Sequence, residues 1–329
     1  MLAVSLIFAL LLAGLLEGAE AKPVDRAMRI AACGADQVDR AYLDQHIRSA
    51  AYDQLGGGFH DFPGGPKGLE KNAWYLNAVV AAHEGKPDLF LRNMALDTVG
   101  FVLRDLKDAA GGFFASIGNS EASSYYSFTE QEIHTALGRE KSREFFATFA
   151  LTPGGFPRLT GSPFAGLAET RQTLLLRRLR RVRLPLDETI DPSANGLWVG
   201  ALARAAAALQ RHDFMEAARR AGAAVARLPR GGGAGAAFGL VSLERFDPAH
   251  SPEASSKALD YAIERSPSMP ANDLMPLAWS LAEAISLRDS DVRRRQLTGV
   301  LGVLESRFAA TEAAAAARCV AATVLVKSP

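Results

Sequence analysis

The sequence has few cysteines, and the two that occur, Cys33 and Cys319, lie far apart in its 329 residues. Two cysteines cannot form a disulfide framework, and the lack of a Cys-x-x-Cys pair excludes thiol–disulfide catalysis by that motif. In an oxidising compartment the two would pair only if the ends of the chain meet. The sequence alone leaves open whether they are paired or free.

The sequence also lacks the spacing typical of metal sites and nucleotide-binding sites. Its six histidines are His46, His60, His83, His134, His212 and His250. They are scattered without the short separations that metal ligands need. No Walker loop, dinucleotide fingerprint or nucleophile elbow occurs. We therefore expect neither a metal nor a cofactor.

Positive and negative charges nearly balance, and the net charge is +1. We therefore expect no nucleic-acid partner. The most basic segment is 171–183, where Leu175, Leu179 and Val182 recur at helical spacing and predict an amphipathic helix with a solvated basic face. The alternative is contact with nucleic acid or an anionic membrane. Aromatic residues do not interleave with the arginines, which disfavours binding of single-stranded nucleic acid.

The longest apolar run covers residues 2–16, and its 15 residues fall short of the roughly 20 that a membrane span needs. Ala19 and Ala21 follow it in the small-x-small pattern of a signal-peptidase site. We predict a signal peptide over 1–21 with cleavage after Ala21, and one secreted or periplasmic domain over 22–329. The run has no preceding Lys or Arg, so an uncleaved membrane anchor is the alternative. No other membrane contact is expected.

Helical periodicity dominates the rest of the chain, and alanine-rich tracts such as 201–210 strengthen it. Thr129 and Glu132 have the spacing of a capping box. Residues 111–128 break the pattern, and their glycines, aromatics and serines predict a short β-hairpin or, as the alternative, an ordered loop. In the C-terminal third, the periodicity predicts helices over 253–265, 271–287, 290–308 and 311–326.

A Gly-Gly-aromatic element recurs at 56–59, 111–114 and 154–156, and more loosely at 231–238. The separation of the first three is that of a helical pair with its connections. Repeated helical pairs predict a solenoid or a closed ring. The glycines allow the chain to turn with positive φ while the aromatic side chain points inward.

The polar residues that follow the first of these elements are the candidates for chemistry. His60 and Asp61, next to Phe59, have the residue types of an acid–base pair or a sugar-binding loop. The alternative is a structural turn in which His60 bonds a backbone carbonyl. Glu70 and Lys71 begin the next helix, where they either face a pocket or complement the helix dipole. Hydrolysis of a sugar needs two carboxylates, and the candidates are Asp53, Asp61, Glu70, Glu130 and Asp191.

Three segments carry a resemblance to a known family: "AYDQLGGGFHDF" at 51–62, "LEKNAWYLNAVVAAHEG" at 69–85, and 101–138, which contains Gly-Gly-Phe at 111–113 and ends in "TEQEIHTALG". With "PSANGLWVGALARAA" at 192–206, they resemble the helical part of the YyaL/spermatogenesis-associated, thioredoxin-domain-containing family. The thioredoxin domain itself has no counterpart in this sequence. The resemblance implies an all-α (α/α) toroid of helical hairpins, complete or incomplete, similar to six-hairpin glycosidases and sugar 2-epimerases.

The resemblance also implies a central cavity with defined lining residues. Those carried over by motif are Asp53, His60, Glu70, Lys71, Tyr75 and Asn77, with Asn195 behind them. Phe59 would add an aromatic face to the cavity. The family's acidic run is reduced in this sequence, and Glu121 is the acidic residue retained from it. The segment "PKGLEK" lacks the family's second histidine, and Ala194 stands where the family has tryptophan. These departures favour altered or lost chemistry on a retained scaffold.

Together, the motifs predict a toroid that binds or modifies a carbohydrate-like ligand. If it is an enzyme, His60, Asp61 and Glu70 are the expected catalytic groups, in epimerisation or hydrolysis of a sugar. The alternative is a non-catalytic helical scaffold for protein–protein contact.

Overall fold

The computed structural model describes residues 23–162, 167–227 and 233–325. The apolar run and the predicted cleavage site after Ala21 lie outside the described residues, so the signal peptide stays a prediction. Among the described residues, no helix combines the length and the apolar character needed to cross a bilayer.

Helices dominate the described residues, as the periodicity predicts. The α-helices are α1 (Pro23–Cys33), α2 (Gln37–Arg48), α3 (Leu69–Gly85), α4 (Leu89–Asp105), α5 (Ser123–Tyr126), α6 (Glu130–Thr148), α7 (Leu167–Arg178), α8 (Pro192–Leu209), α9 (His212–Arg227), α10 (Gly233–Phe246), α11 (Pro252–Arg265), α12 (Ala271–Leu287), α13 (Asp291–Phe308) and α14 (Glu312–Leu325). The capping box of Thr129 and Glu132 is present at the start of α6. The four helices predicted for the C-terminal third are confirmed.

Six of these helices form a closed inner ring. Helices α1, α3, α8, α10, α12 and α14 pack in that order, and α14 packs back against α1. Inner helices such as α8 and α10 are buried on almost every side, whereas the outer helix α9 buries one stripe. A helix that is apolar all round belongs inside, and an amphipathic one covers it. The predicted all-α (α/α) toroid is confirmed.

The inner helices α8 and α10 lie side by side with their N-terminal ends together. A Cβ atom on Gly196 would lie 2.2 Å from the carbonyl oxygen of Gly235, and one on Gly239 would lie 2.2 Å from that of Gly196. Only glycine permits this close approach of two helix backbones. Because the two helices run parallel, their first turns open on the same side of the ring.

A disulfide bond joins Cys33, the last residue of α1, to Cys319 in α14. The two cysteines are 286 residues apart in sequence, and their Cα atoms are 5.2 Å apart. The bond therefore links the first and last helices of the described ring. This settles the question that the sequence left open.

The short strands belong to two antiparallel sheets. They are β1 (Lys67–Gly68), β2 (Ser116–Ile117) and β5 (Leu186–Asp187) in the first, with Lys67 opposite Ile117 and Ser116 opposite Asp187, and β3 (Phe149–Leu151) and β4 (Pro157–Leu159) in the second. The predicted β-hairpin within 111–128 is wrong, because β2 pairs with two distant segments and the chain after it turns into α5. A hairpin occurs instead at β3–β4, around the Gly-Gly-aromatic element at 154–156.

Aromatic side chains fill the inside of the ring. The ring of Trp74 on α3 lies 6.1 Å from that of Phe238 on α10, and Phe238 lies 5.1 Å from Trp279 on α12. Helices α3 and α10 are not neighbours in the ring, so Trp74 and Phe238 meet across its interior. All three side chains are buried, and they form the floor beneath the open end of the toroid.

Candidate functional site

A cavity of about 900 Å³ opens at the N-terminal ends of the inner helices. The first turns of five of them, α1, α3, α8, α10 and α12, contribute to its wall, which follows from their parallel arrangement around the ring. The described residues that line it are Pro23, Val24, Asp61, Gly68, Leu69, Glu70, Lys71, Ala115, Asp191, Ser193, Ala194, Gly233, Ala234, Met269 and Asp273.

Three carboxylates from three different inner helices face this cavity. Glu70 is the second residue of α3, Asp191 caps α8 by accepting from the N–H of Ala194 at 2.6 Å, and Asp273 lies in the first turn of α12. Partial burial, together with the negative charges of Asp273 and Asp191, raises the pKa of Glu70. Partial burial and the charge of Asp191 likewise raise the pKa of Asp273. Like charges held close together disfavour simultaneous ionisation.

Asp61 and Lys71 form the other polar edge of the cavity. The Nζ atom of Lys71 donates to the carbonyl oxygens of His60 at 2.5 Å and Asp61 at 3.1 Å. Partial burial raises the pKa of Asp61, although the positive charge of Lys71 opposes the increase. Lys71 therefore ties the loop of the first Gly-Gly-aromatic element to the start of α3.

That loop turns where the sequence predicts, and its His60 and Phe59 point into the protein. Gly57 and Gly58 have φ angles of +76° and +85°, which favour glycine. His60 is buried, its Nδ1 lies 2.8 Å from the carbonyl oxygen of Gly65, and its ring packs against Tyr126. Burial and the nearby charge of Lys67 lower the pKa of His60 to about 3. The structure thus gives His60 a backbone partner and does not place it among the cavity-lining residues.

Phe59 and Tyr75 also lie outside the cavity wall. Their rings stack at 4.1 Å, and the ring of His46 stacks against both, at 4.9 Å from Tyr75 and 5.8 Å from Phe59. Asn77, further along α3, is buried, and neither atom of its amide has a hydrogen-bond partner among the described residues. These side chains belong to the packed interior next to the ring.

Asp53 lies in a buried cluster of charges. Its two carboxylate oxygens accept from the two Nη atoms of Arg178 at 2.8 and 2.7 Å, and Oδ2 also accepts from Lys67 Nζ at 3.0 Å. Burial alone would raise the pKa of Asp53, but the charges of Arg178 and Lys67 outweigh it and hold that pKa well below its usual range. Burial lowers the pKa of Lys67 to about 8; the charge of Asp53 opposes the decrease, and the positive charge of Arg178 adds to it. Asp53 is therefore the counterion that two buried cations share.

Asn195 holds the second Gly-Gly-aromatic element in place. Its Oδ1 accepts from the N–H of Phe113 at 2.8 Å, and its Nδ2 donates to the carbonyl oxygens of Phe113 and Asp191, each at 2.9 Å. Asn72 on α3 clamps Phe59 in the same way, with its Oδ1 2.7 Å from the Phe59 nitrogen. Both asparagines are the fourth residue of an inner helix. The first two repeats of the sequence are therefore equivalent in structure, and the third is the β3–β4 turn.

The hydrogen bonds between Asn195 and Phe113, which we call the clamp, give a stability prediction. Replacing Asn195 with alanine leaves the buried N–H and C=O of Phe113 without partners, and we expect the free energy of unfolding to fall by about 2–4 kcal/mol. Urea unfolding followed by tryptophan fluorescence measures the change. Asn272→Ala, at an exposed position of α12, is the control and should cost less than about 0.5 kcal/mol. A loss below 1 kcal/mol in Asn195→Ala would contradict the proposed role of the clamp.

Glu121 lies on an exposed turn, away from the main cavity. Its backbone N–H donates to Oδ1 of Asn119 at 3.0 Å. It lines a separate, smaller cavity of about 330 Å³ together with Arg181, Val182 and Arg183. Of the ten residues predicted for the site, Asp61, Glu70 and Lys71 come together in the main cavity.

The motifs missed Asp273 and did not single out Asp191 from other carboxylates. Both lie at the start of an inner helix, as Glu70 does. An acidic residue at a helix start is also a common partner of the helix dipole, so this position carries no sign of function until the helices are placed around one cavity.

The sequence matches no protein-family model and no curated protein. Among solved structures, the fold is similar to an inactive variant of an alpha-1,6-mannanase of Salegentibacter sp. HEL1_6 in complex with alpha-1,6-mannotetrose, at 12% identity and a TM-score of 0.39, over 88% of this chain and 73% of that chain.

Two further similar structures are the unsaturated glucuronyl hydrolase of Bacillus sp. GL1 (12% identity, TM-score 0.38, 91% of this chain and 66% of that chain) and the cellobiose 2-epimerase of Spirochaeta thermophila DSM 6192 (14% identity, TM-score 0.37, 87% and 97%). With TM-scores below 0.5, these likenesses carry no argument about activity. An activity must be inferred from the cavity of this chain.

Proposed function

We propose that the protein hydrolyses a carbohydrate in the cavity at the open end of the ring, with Glu70 as general acid and a second carboxylate as its partner. One observation supports this most: Glu70, Asp191 and Asp273, from three separate inner helices, line one cavity, and the pKa values of Glu70 and Asp273 are raised. Glycoside hydrolysis requires a carboxyl group that is protonated and a carboxylate that is ionised.

The roles follow from the environments of the three groups. Glu70 meets the negative charges of both aspartates, so it is the group best suited to keep a proton for the leaving oxygen. The carboxylate of Asp191 is held in place by the N–H of Ala194 and lines the same cavity as Glu70. Asp191 is therefore the proposed base or nucleophile, and Asp273 supports the proton on Glu70.

The polar wall suits a sugar. The side chains of Asp61, Lys71 and Ser193 add hydrogen-bonding groups to the three carboxylates, and sugar hydroxyls both donate and accept. A volume of about 900 Å³ is within the range of pockets that enclose a small ligand. Epimerisation with His60 as the acid or base is less well supported, because the ring of His60 is buried and lies within hydrogen-bond distance of the carbonyl oxygen of Gly65.

We further propose that the chain is exported, with cleavage after Ala21, and that it belongs to the YyaL/spermatogenesis-associated family. The disulfide between Cys33 and Cys319 supports export, since such bonds persist in oxidising compartments. N-terminal sequencing of the chain recovered from the medium or periplasm tests the cleavage. An N-terminus at Met1 in a membrane fraction would instead support the anchor.

The activity is tested with a panel of oligosaccharides and aryl glycosides, by release of reducing sugar and by thermal shift. We expect Glu70→Gln to lower kcat/KM for the hydrolysed substrate about 100-fold, because the general acid is lost. Glu130→Gln is the matched control: Glu130 is the first residue of α6, is exposed and lies outside the cavity. The alkaline limb of the pH profile, where Glu70 deprotonates, should also disappear in Glu70→Gln.

Equal loss in both variants, or none in either, would contradict the role of Glu70. If no glycan shifts the melting temperature and none is cleaved, the proposal fails, and the helical scaffold expected as the alternative from the sequence takes its place.

A further inference from the structure

Some arginines of the basic segment 171–183 point into the protein, and others point into solvent. Arg178 is buried against Asp53, and Arg181 donates through Nη1 to three backbone carbonyls and through Nη2 to Glu132 at 2.9 Å. The predicted apolar stripe is wrong at Leu179 and Val182, which are 43% and 89% exposed. Arg178 occupies the inward position of the last turn of α7, because it neutralises Asp53.

The outward side of this segment combines unpaired charge with exposed apolar surface. We call it the basic–apolar patch, and it consists of Arg177, Arg180, Arg183, Leu176, Leu179 and Val182. The three arginines are exposed and form no ion pair with any residue of the described ranges. Leu176 is 52% exposed. Three large apolar side chains within seven residues therefore face solvent between three free guanidinium groups.

We infer that the basic–apolar patch docks onto an anionic lipid surface. Guanidinium groups bind lipid phosphates, and leucine and valine side chains between them enter the acyl boundary, as in basic amphipathic segments at membrane interfaces. Glu121 is the carboxylate that lines the same small cavity as Val182 and Arg183, and the three arginines of the patch outnumber it. A nucleic acid would use the charges but leave the apolar side chains exposed.

The patch is held rigidly, which lowers the entropic cost of binding. Arg178 and Arg181 bind inward partners on either side of Leu179 and so fix the backbone that displays the outward residues. A surface that is already ordered loses little conformational freedom when it docks. This contact would be separate from the N-terminal apolar run, which stays with the membrane only if the anchor is uncleaved.

A tryptophan in the patch reports its contact with lipid directly, whatever the N-terminal segment does. The three native tryptophans are at most 8% exposed, so Val182→Trp supplies an accessible indole in the full chain. With vesicles of phosphatidylcholine and 30 mol% phosphatidylglycerol, we expect a blue shift of its emission and quenching by brominated lipid. Val292→Trp is the matched control, because Val292 is also exposed (53%) but lies on α13. It should show neither effect.

The charges are tested in the Val182→Trp background. Changing Arg177, Arg180 and Arg183 to glutamine should weaken vesicle partitioning about 100-fold, at roughly fivefold per arginine. Changing the exposed arginines Arg139, Arg143 and Arg295 should change it less than fivefold. Quenching that is equal on neutral vesicles, equal at positions 182 and 292, or unchanged by the patch substitutions would overturn the inference. Binding of an oligonucleotide in preference to vesicles would assign the patch to nucleic acid instead.

Discussion

Replacing Asp53 with asparagine should lower the free energy of unfolding by about 3–5 kcal/mol, because the change leaves two buried cations without their countercharge. Lys67 and Arg178 are each at most 2% exposed, and their shared anion is Asp53. The cluster joins β1, α7 and the loop of the first Gly-Gly-aromatic element. Its loss therefore loosens the contact of α7 with a loop and a strand that lie more than 100 residues earlier in the sequence.

Urea unfolding at neutral pH measures this effect. Asp44→Asn is the matched control, because Asp44 pairs with Arg48 at 2.8 Å on the surface of α2, and exposed pairs contribute about 0–1 kcal/mol. A loss in Asp53→Asn as small as that of the control would show that Asp53 is dispensable to the fold and would reopen its predicted role in ligand binding.

The same variant should change the acid sensitivity of the fold. The pKa of Asp53 in the folded protein lies well below its value in the unfolded chain, so its contribution is complete above about pH 4 and is lost as the pH falls through the folded pKa. The difference in stability between wild type and Asp53→Asn should therefore be largest near neutrality and shrink towards pH 2. A difference that grows on acidification would contradict this assignment.

Removing the disulfide should have an effect of similar or larger size. Cys33→Ser together with Cys319→Ser frees a loop of 286 residues in the unfolded chain, for which loop-closure entropy gives a loss of about 6 kcal/mol. Urea unfolding of the wild type with and without dithiothreitol, compared with the double variant, measures it. We expect reductant to shift the wild type to the midpoint of the variant.

The double variant is its own control, since reductant should not change its midpoint. If reduced and oxidised wild type unfold at the same urea concentration, the contacts between α1 and α14 close the ring without help from the bond.

The sequence predicts local structure well where local structure is set by neighbours in the chain. The helices of the C-terminal third and the capping box of Thr129 depend on periodicity and on residues three apart, and both are confirmed. The three-stranded sheet was missed because each of its strands has two residues and its partners come from distant segments. No local pattern specifies such a pairing.

The candidate site was only partly predictable, for a related reason. The resemblance assigned several polar residues to a ligand-binding site. In the structure, Asp53 instead pairs with Arg178, which lies 125 residues away in sequence, and Asn195 forms hydrogen bonds with Phe113, which lies 82 residues away. A polar side chain that pairs with a remote group cannot be told from one that awaits a substrate until the fold brings the partners together. Glu70, Lys71 and Asp61 were found because they lie next to the glycine turn. Asp273 comes from a helix that carries no motif.

The aromatic floor made by Trp74, Phe238 and Trp279 determines how a long substrate could approach. The rings meet across the middle of the toroid, so a polymer chain cannot pass through its centre. Whatever enters at the helix N-termini must leave by the same mouth. Under the proposed hydrolysis, a polysaccharide would reach Glu70 from this mouth, and the released sugar would leave through it.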